Sequence, residues 1–150
     1  MGIKEIANNK KAYHEYFIID KYEAGLSLLG TEIKSIRKGK VQLQDAYISF
    51  IANEAYVKGM NIAKYDQGNI FNHIEDRERK LLLHKSEIIK LASKVKIQGF
   101  TVIPLRLYLS DGKAKLEIAL AKGKSLYDKR NDDKVKSMER QAKQAVKRSY

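Results

Sequence analysis

The chain has no cysteine, a single proline, and no apolar run approaching the roughly eighteen residues that a bilayer crossing needs. Without thiols there is no disulfide framework, no cysteine zinc site and no thiol nucleophile, which fits a reducing, cytoplasmic setting. The opening residues, MGIKEIANNKKAY, carry no hydrophobic stretch of the kind that directs secretion. Catalytic signatures are equally scarce. The three histidines, His14, His73 and His84, have no partner at the spacing of a triad or a zinc site and read as surface or hydrogen-bonding residues. There is no phosphate-binding loop, dinucleotide fingerprint or nucleophile elbow. The acid pairs Glu75-Asp76 and Asp132-Asp133 fall in polar stretches that lack the burial needed to tune a general acid. No Gly-Gly-Gln tripeptide is present, as a peptide-release factor would require. The expectation is a protein without catalytic residues, cofactor or metal.

Acidic residues are also in deficit. Eighteen Asp and Glu stand against thirty Lys and Arg, a formal charge of +12. On 150 residues that charge creates a strong field and points to a polyanionic partner, the plainer alternative being that it only maintains solubility. The length suits one domain with its own core. The expected organisation is a mobile lead-in over 1–11, a folded domain over 12–121 and a basic tail over 122–150.

The pattern inside that domain is mainly β. Aromatic and branched residues over 16–19 and 22–29, separated by Asp20-Lys21, predict two antiparallel strands. After Gly30, Thr31 can cap a short helix over 32–38 that Gly39 stops, with Ile33 and Ile36 on one face and Lys34, Arg37 and Lys38 on the other. Strands follow over 46–52 and 55–62, joined at Asn53-Glu54. The polar stretch 64–79 reads as a long loop, a type that is often functional. Ser86 can cap a helix to about Gln98 whose apolar residues recur at helical spacing. The clearest hairpin is 100–109 with 114–120, turning at Ser110-Asp111-Gly112, with Pro104 marking an edge or a bulge. Six strands with two or three helices suggest an antiparallel barrel of the oligonucleotide-binding (OB) type, closed or partly open.

Bulky apolar residues nearly vanish after Ala121, and residues 128–150 hold eight basic and four acidic side chains. Too little can be buried there to offset the ordering of the chain, so the free tail is expected to be disordered. It has latent helical design all the same. Asn131 can cap it, Asp132 and Asp133 suit its N-terminus, and Lys147 and Arg148 suit its C-terminus. On a helical wheel Lys136, Arg140, Lys143 and Lys147 form one cationic row, apart from a weak apolar stripe that includes Met138.

Several strings, in order along the chain, resemble the SmpB family, the tmRNA-binding proteins of bacterial trans-translation. They are Asn9-Lys10-Lys11-Ala12 with HisGluTyrPhe at 14–17, Tyr22-Glu23-Ala24-Gly25, GlyThrGluIleLysSer at 30–35, ArgLysLeuLeuLeuHis at 79–84, and AlaLysGlyLys at 121–124 with AspLysArg at 128–130. The resemblance implies a barrel that grips the tRNA-like domain of tmRNA and stands in for its missing anticodon arm. It also implies a tail that enters the empty messenger channel of the ribosome as a helix, and no reaction catalysed by the protein. Elongation factor Tu and alanyl-tRNA synthetase would be indirect partners through the same RNA, and the protein itself a monomer. The implied tmRNA contacts are Asn9, Lys10, Lys11, Glu23, Lys34, Leu82, Lys115, Lys122, Gly123 and Lys124. The implied ribosome contacts of the tail are Tyr127, Asp128, Lys129, Arg130, Lys136, Met138, Arg140, Lys143 and Lys147. By residue type alone, Glu23 is open between an RNA acceptor and a cross-strand ion pair. Leu82 is open between RNA contact and core. Gly123 is open between close phosphate approach and a simple turn. The chain departs from the family pattern at Tyr127, where many members place His, and at Met138, where an aromatic is common. A general single-strand binder or ribosomal protein, with surface Tyr and Phe as stacking platforms, is the rival reading.

Overall fold

The structure, a computed structural model, describes residues 2–68, 72–125 and 129–130. The helix expected in the tail, with Tyr127, Asp128, Lys136, Met138, Arg140, Lys143 and Lys147, lies outside the described residues. Among the described residues the order is β1 (Ile3–Asn8), α1 (Ala12–Glu15), β2 (Tyr16–Leu26), α2 (Gly30–Arg37), β3 (Val41–Gln42), β4 (Tyr47–Ile51), β5 (Glu54–Lys58), β6 (Asn61–Ile62), β7 (Arg79–Leu82), α3 (Lys85–Lys94), β8 (Phe100–Ser110) and β9 (Lys113–Gly123). Seven strands form one antiparallel sheet in the order β1-β8-β9-β2-β7-β5-β4, and β3 pairs with β6 separately. The sheet curls until β4, at its far end, lies against β8. This is the mainly β, OB-like architecture expected, with more strands than the six anticipated.

The long hairpin β8–β9 forms as its sequence predicts. Asp111 and Gly112 both take positive φ, 51° and 79°, the primed-turn geometry that matches strand twist. The other tight turn falls at Ala52 and Asn53, φ 50° and 62°, one residue earlier than expected. Gly39 stops α2 in the left-handed region, with φ 75°.

Four local expectations give way to tertiary pairing. The two strands expected around Asp20-Lys21 are one strand, β2, because β9 pairs with it from Tyr16 to Gly25 and supplies partners throughout. The presumed turn survives as a β-bulge between Ile18 and Asp20. Most of the expected lead-in is strand β1, whose polar residues pair with the outer edge of β8. Strand β9 runs through Gly123, and the Lys124 N–H donates to the Glu15 carbonyl at 2.8 Å. The body therefore extends past 121, and Lys122 and Gly123 belong to the sheet. Neither expected hydroxyl cap operates either. α2 begins where the Leu29 N–H donates to the Glu32 carboxylate at 2.8 Å, and α3 where the His84 N–H donates to Glu87 at 3.0 Å.

Alternation along the strands sorts the side chains. Ala114, Leu116, Ile118 and Leu120 of β9 point inward, with Ile36, Met60, Ile62, Leu81, Leu91 and Leu107, into the main core. On the opposite face, Ala12 of α1 packs on Ile103, Leu105, Ala119 and Ala121 as a small second core. A bulge between Pro104 and Arg106 then shifts the phase of β8. Ile103 faces outward before it, and Arg106 and Tyr108 face outward after it. The bulge in β2 likewise turns Ile18 outward on one side of it and Lys21, Glu23 and Gly25 outward on the other.

Candidate nucleic-acid interface

The bulges leave a polar outer face beside α1. Cross-strand pairing lines up Leu82 (β7), Gly25 (β2), Lys115 (β9), Tyr108 (β8) and Glu5 (β1) in one row. The next row is Glu23, Glu117, Arg106 and Asn8. Two carboxylates directly opposite each other, Glu23 and Glu117, would repel. Each has its own partner instead: the Tyr108 hydroxyl donates to Glu23, and Arg106 Nε donates to Glu117 at 3.4 Å. The Arg106 guanidinium also lies 4.6 Å from the centre of the Tyr108 ring. Burial, then the hydrogen bond to Glu23 and its negative charge, push the Tyr108 hydroxyl up to about 12, so it remains a donor at neutral pH.

Lys115 has no ion pair among the described residues, although it sits in this charged lattice. It lines one groove with Gly25, Leu82 and Arg37, and an adjoining one with Glu23 and His84. Leu82 is 56 % exposed at the centre of both, so it is a surface residue rather than the core residue its type suggests. A Cβ on Gly25 would come within 3.2 Å of the Leu82 Cβ, so the absence of a side chain there keeps the groove open. The result is an apolar step flanked by an unpaired ammonium and a hydrogen-bonded carboxylate. Such a surface can meet a phosphate, a ribose or base edge and a base face together.

Asn9 is buried and holds the fold. Its backbone N–H donates to the Leu105 carbonyl at 2.8 Å and its side-chain amide to the Pro104 carbonyl at 3.0 Å, pinning α1 at the β8 bulge. Lys10 and Lys11 beside it are exposed. Lys34 is not in the groove: its ammonium lies 5.3 Å from the Tyr65 ring centre, and Lys38 approaches the same ring at 5.0 Å. The α2 residues that do line the groove are Ile33 and Arg37, neither of which was expected there. Tyr108, Arg106 and Glu117 were also missed, because only the bulge at Pro104 reveals that they share a face with Lys115.

At the end of β9, Lys122 stacks on Phe100 at 5.9 Å and Lys124 on Phe17 at 5.2 Å. Lys124 Nζ also donates to the Tyr13 carbonyl at 3.1 Å. Between them Gly123 is exposed, pairs with Tyr16, and would place a Cβ in open space with no left-handed backbone to demand glycine. Beyond it, the Lys129 N–H donates to the Ser125 carbonyl at 3.1 Å, and Arg130 is exposed.

A buried ion cluster fixes α2 against β7 and so sets the groove's width. Glu32 Oε2 accepts from Arg79 Nε at 2.5 Å and Oε1 from Arg77 at 2.6 Å. Arg79 also donates to the carbonyls of Met60 and Glu75 at 2.6 and 3.0 Å. Burial by itself would raise the Glu32 pKa. The hydrogen bonds from Arg77, the Leu29 N–H and Arg79, with the Arg79 charge, outweigh it and hold the carboxyl below the ordinary value. His73 ties the neighbouring loop down, its Nε2 2.9 Å from the Ile62 carbonyl and its Nδ1 2.9 Å from the Thr31 hydroxyl. Thr31, expected as a helix cap, serves this contact instead.

A curled antiparallel sheet whose charged outer face carries an apolar step, with lysine–aromatic pairs at one end, defines an OB-like nucleic-acid-binding protein. A sequence model described as SmpB protein matches residues 6–148. The SsrA-binding protein of Geotalea uraniireducens is 55% identical over 98% of this chain and 97% of its own length. That of Pelobacter propionicus is 52% identical over the same shares. A solved structure described as "tmRNA-SmpB: a journey to the center of the bacterial ribosome" superposes with a TM-score of 0.68 at 42% identity, covering 88% of this chain and 93% of that one. The chain belongs to the SmpB family.

Proposed function

We propose that the outer sheet face binds the tRNA-like domain of tmRNA and that the protein acts in trans-translation on stalled ribosomes. The observation that carries this reading is the groove in which the unpaired Lys115 and the exposed Leu82 meet above Gly25. Its support is that relatives of about half-identical sequence are SsrA-binding proteins. Glu23 acts here as a fixed acceptor, oriented by Tyr108, for ribose hydroxyls or base N–H groups. Lys122 and Lys124, held on aromatic rings, offer charge to the backbone, and Gly123 lets a phosphate approach the strand.

The body and the residues that follow it serve different targets in this scheme. The body mimics an anticodon arm, while residues beyond 124 address the decoding centre and the empty messenger channel, with Lys129 and Arg130 at the entry. The protein works as a cytoplasmic monomer without chemistry of its own, and elongation factor Tu and alanyl-tRNA synthetase meet it only through the RNA. Filter binding over a salt series tests the first part. Affinity for the tRNA-like domain exceeds that for unrelated hairpins and falls with salt as counterions are released. Ending the chain after Arg130 leaves that affinity intact and abolishes peptide tagging. Equal affinity for unrelated hairpins refutes the specificity, and joint loss of both activities refutes the division of labour.

A further inference from the structure

A polar cleft of about 280 Å³ opens between α1, the start of β4 and β8; Asn9 and Lys11, two of the implied tmRNA contacts, are on its lining, but the proposed function gives the cleft itself no ligand. Lys11, Glu15, Gln44 and Asp45 line it together with Tyr16 and Tyr47. Among the described residues, no hydrogen bond or ion pair engages any of these six side chains. A cleft just below the ~300–1,000 Å³ range of drug-sized ligand sites, with aromatic walls and unspent donors and acceptors, fits a small planar heterocycle. Two carboxylates and one ammonium disfavour a phosphate inside it. They suit a neutral ring that carries adjacent N–H donors on one edge and acceptors on the other. Guanine alone among the four RNA bases presents two neighbouring N–H donors, N1–H and the 2-amino group, on its Watson–Crick edge, with O6 and N7 as acceptors. A carboxylate accepts from the first pair, and Lys11 or Gln44 donates to the second.

We infer that this cleft captures an unstacked guanine of the bound RNA, read by Asp45 and held against Tyr47 and Tyr16. The inference rests on the tmRNA-binding reading. Asn9 and Ala12 seat the α1 segment on the same outer sheet face that carries Glu23 and Lys115, so one RNA can span the groove and the cleft. Unpaired, splayed bases are what such proteins recognise, through edge hydrogen bonds and aromatic stacking.

The test uses the full chain, the tRNA-like domain RNA at fixed salt, and the variant Asp45→Asn. Asp45 has φ 66°, a conformation that asparagine tolerates as well as aspartate, so the variant keeps its fold. Removing a negative charge strengthens RNA binding by any protein that acts through bulk electrostatics. A guanine acceptor predicts the opposite, a loss of about tenfold. Replacing one guanosine of the RNA by inosine, which lacks the 2-amino group, then weakens the wild type but not Asp45→Asn. Unchanged or tighter binding by Asp45→Asn overturns the inference and leaves the proposed function standing. If the wild type fails to prefer the tRNA-like domain over unrelated hairpins, the proposed function falls, and titration with guanosine and adenosine decides the cleft separately. Amide resonances of Asp45 and Tyr47 that move with guanosine and not adenosine uphold it, and their failure to move overturns it.

Discussion

Replacing Glu32 by glutamine removes one charge from the interior and almost no volume. Glu32 and Arg79 are both fully buried, with the Arg79 Nε 2.5 Å from the carboxylate. After Glu32→Gln the Arg79 guanidinium keeps its carbonyl acceptors at Met60 and Glu75 but no buried counter-charge. Breaking a buried pair in this way costs about 3–5 kcal/mol. In a domain of this size each kcal/mol lowers Tm by about 2–4 °C, so a fall of roughly 10 °C is expected in a thermal scan. The pH dependence supplies an independent check. The folded pKa of Glu32 lies below its unfolded value, so its stabilisation is present above the unfolded carboxylate range, ~4.3, and is lost as pH falls through the folded pKa. Urea unfolding of the wild type below pH 4 therefore loses this increment, whereas Glu32→Gln never had it, and the two curves converge at low pH. A loss under about 1 kcal/mol at pH 7, or curves that stay parallel down to pH 2, refutes the view that the cluster holds α2 on β7.

Two further outcomes concern the groove and the end of β9. Lys115→Ala lowers affinity for the tRNA-like domain at low salt and reduces the slope of log K against log salt by about 1, leaving Tm within ~2 °C; an unchanged slope shows that Lys115 touches no phosphate. Gly123→Val leaves thermal stability unchanged, because its side chain enters open space, but weakens RNA binding at least fivefold in the same assay, and a parallel loss of Tm assigns the glycine to folding instead.

The parts of the fold that were legible in the sequence are those specified locally. Asp111-Gly112 between two alternating arms announced β8–β9, and Gly39 marked the end of α2, whereas α3 stops at Lys94, short of the Gln98 expected. Pairing at a distance was not legible. β7 is four residues at the end of a polar loop, and β1 is a polar run that becomes a strand only because the β8 edge is there to receive it. The candidate site shows the same division. Glu23 and Leu82 came from matched strings, Lys115 from the family resemblance alone, and the three do converge, while Lys34 went to Tyr65 and Asn9 to the backbone of β8. Arg37, Arg106 and Tyr108 carried no string of their own. The place of Arg106 and Tyr108 depends on where the β8 bulge falls, and a bulge is decided by the partner strand as much as by the bulged one.

The two extra residues that bend β2 and β8 make the outer sheet face a matter of counting. Substitution at Arg106 or Tyr108 alters what the face offers, whereas deleting one residue at Pro104–Leu105 would swing both into the interior and expel Leu107. The face therefore tolerates exchange of one side chain for another without a change of direction, whereas the loss of a single residue at either bulge reverses which side chains it presents.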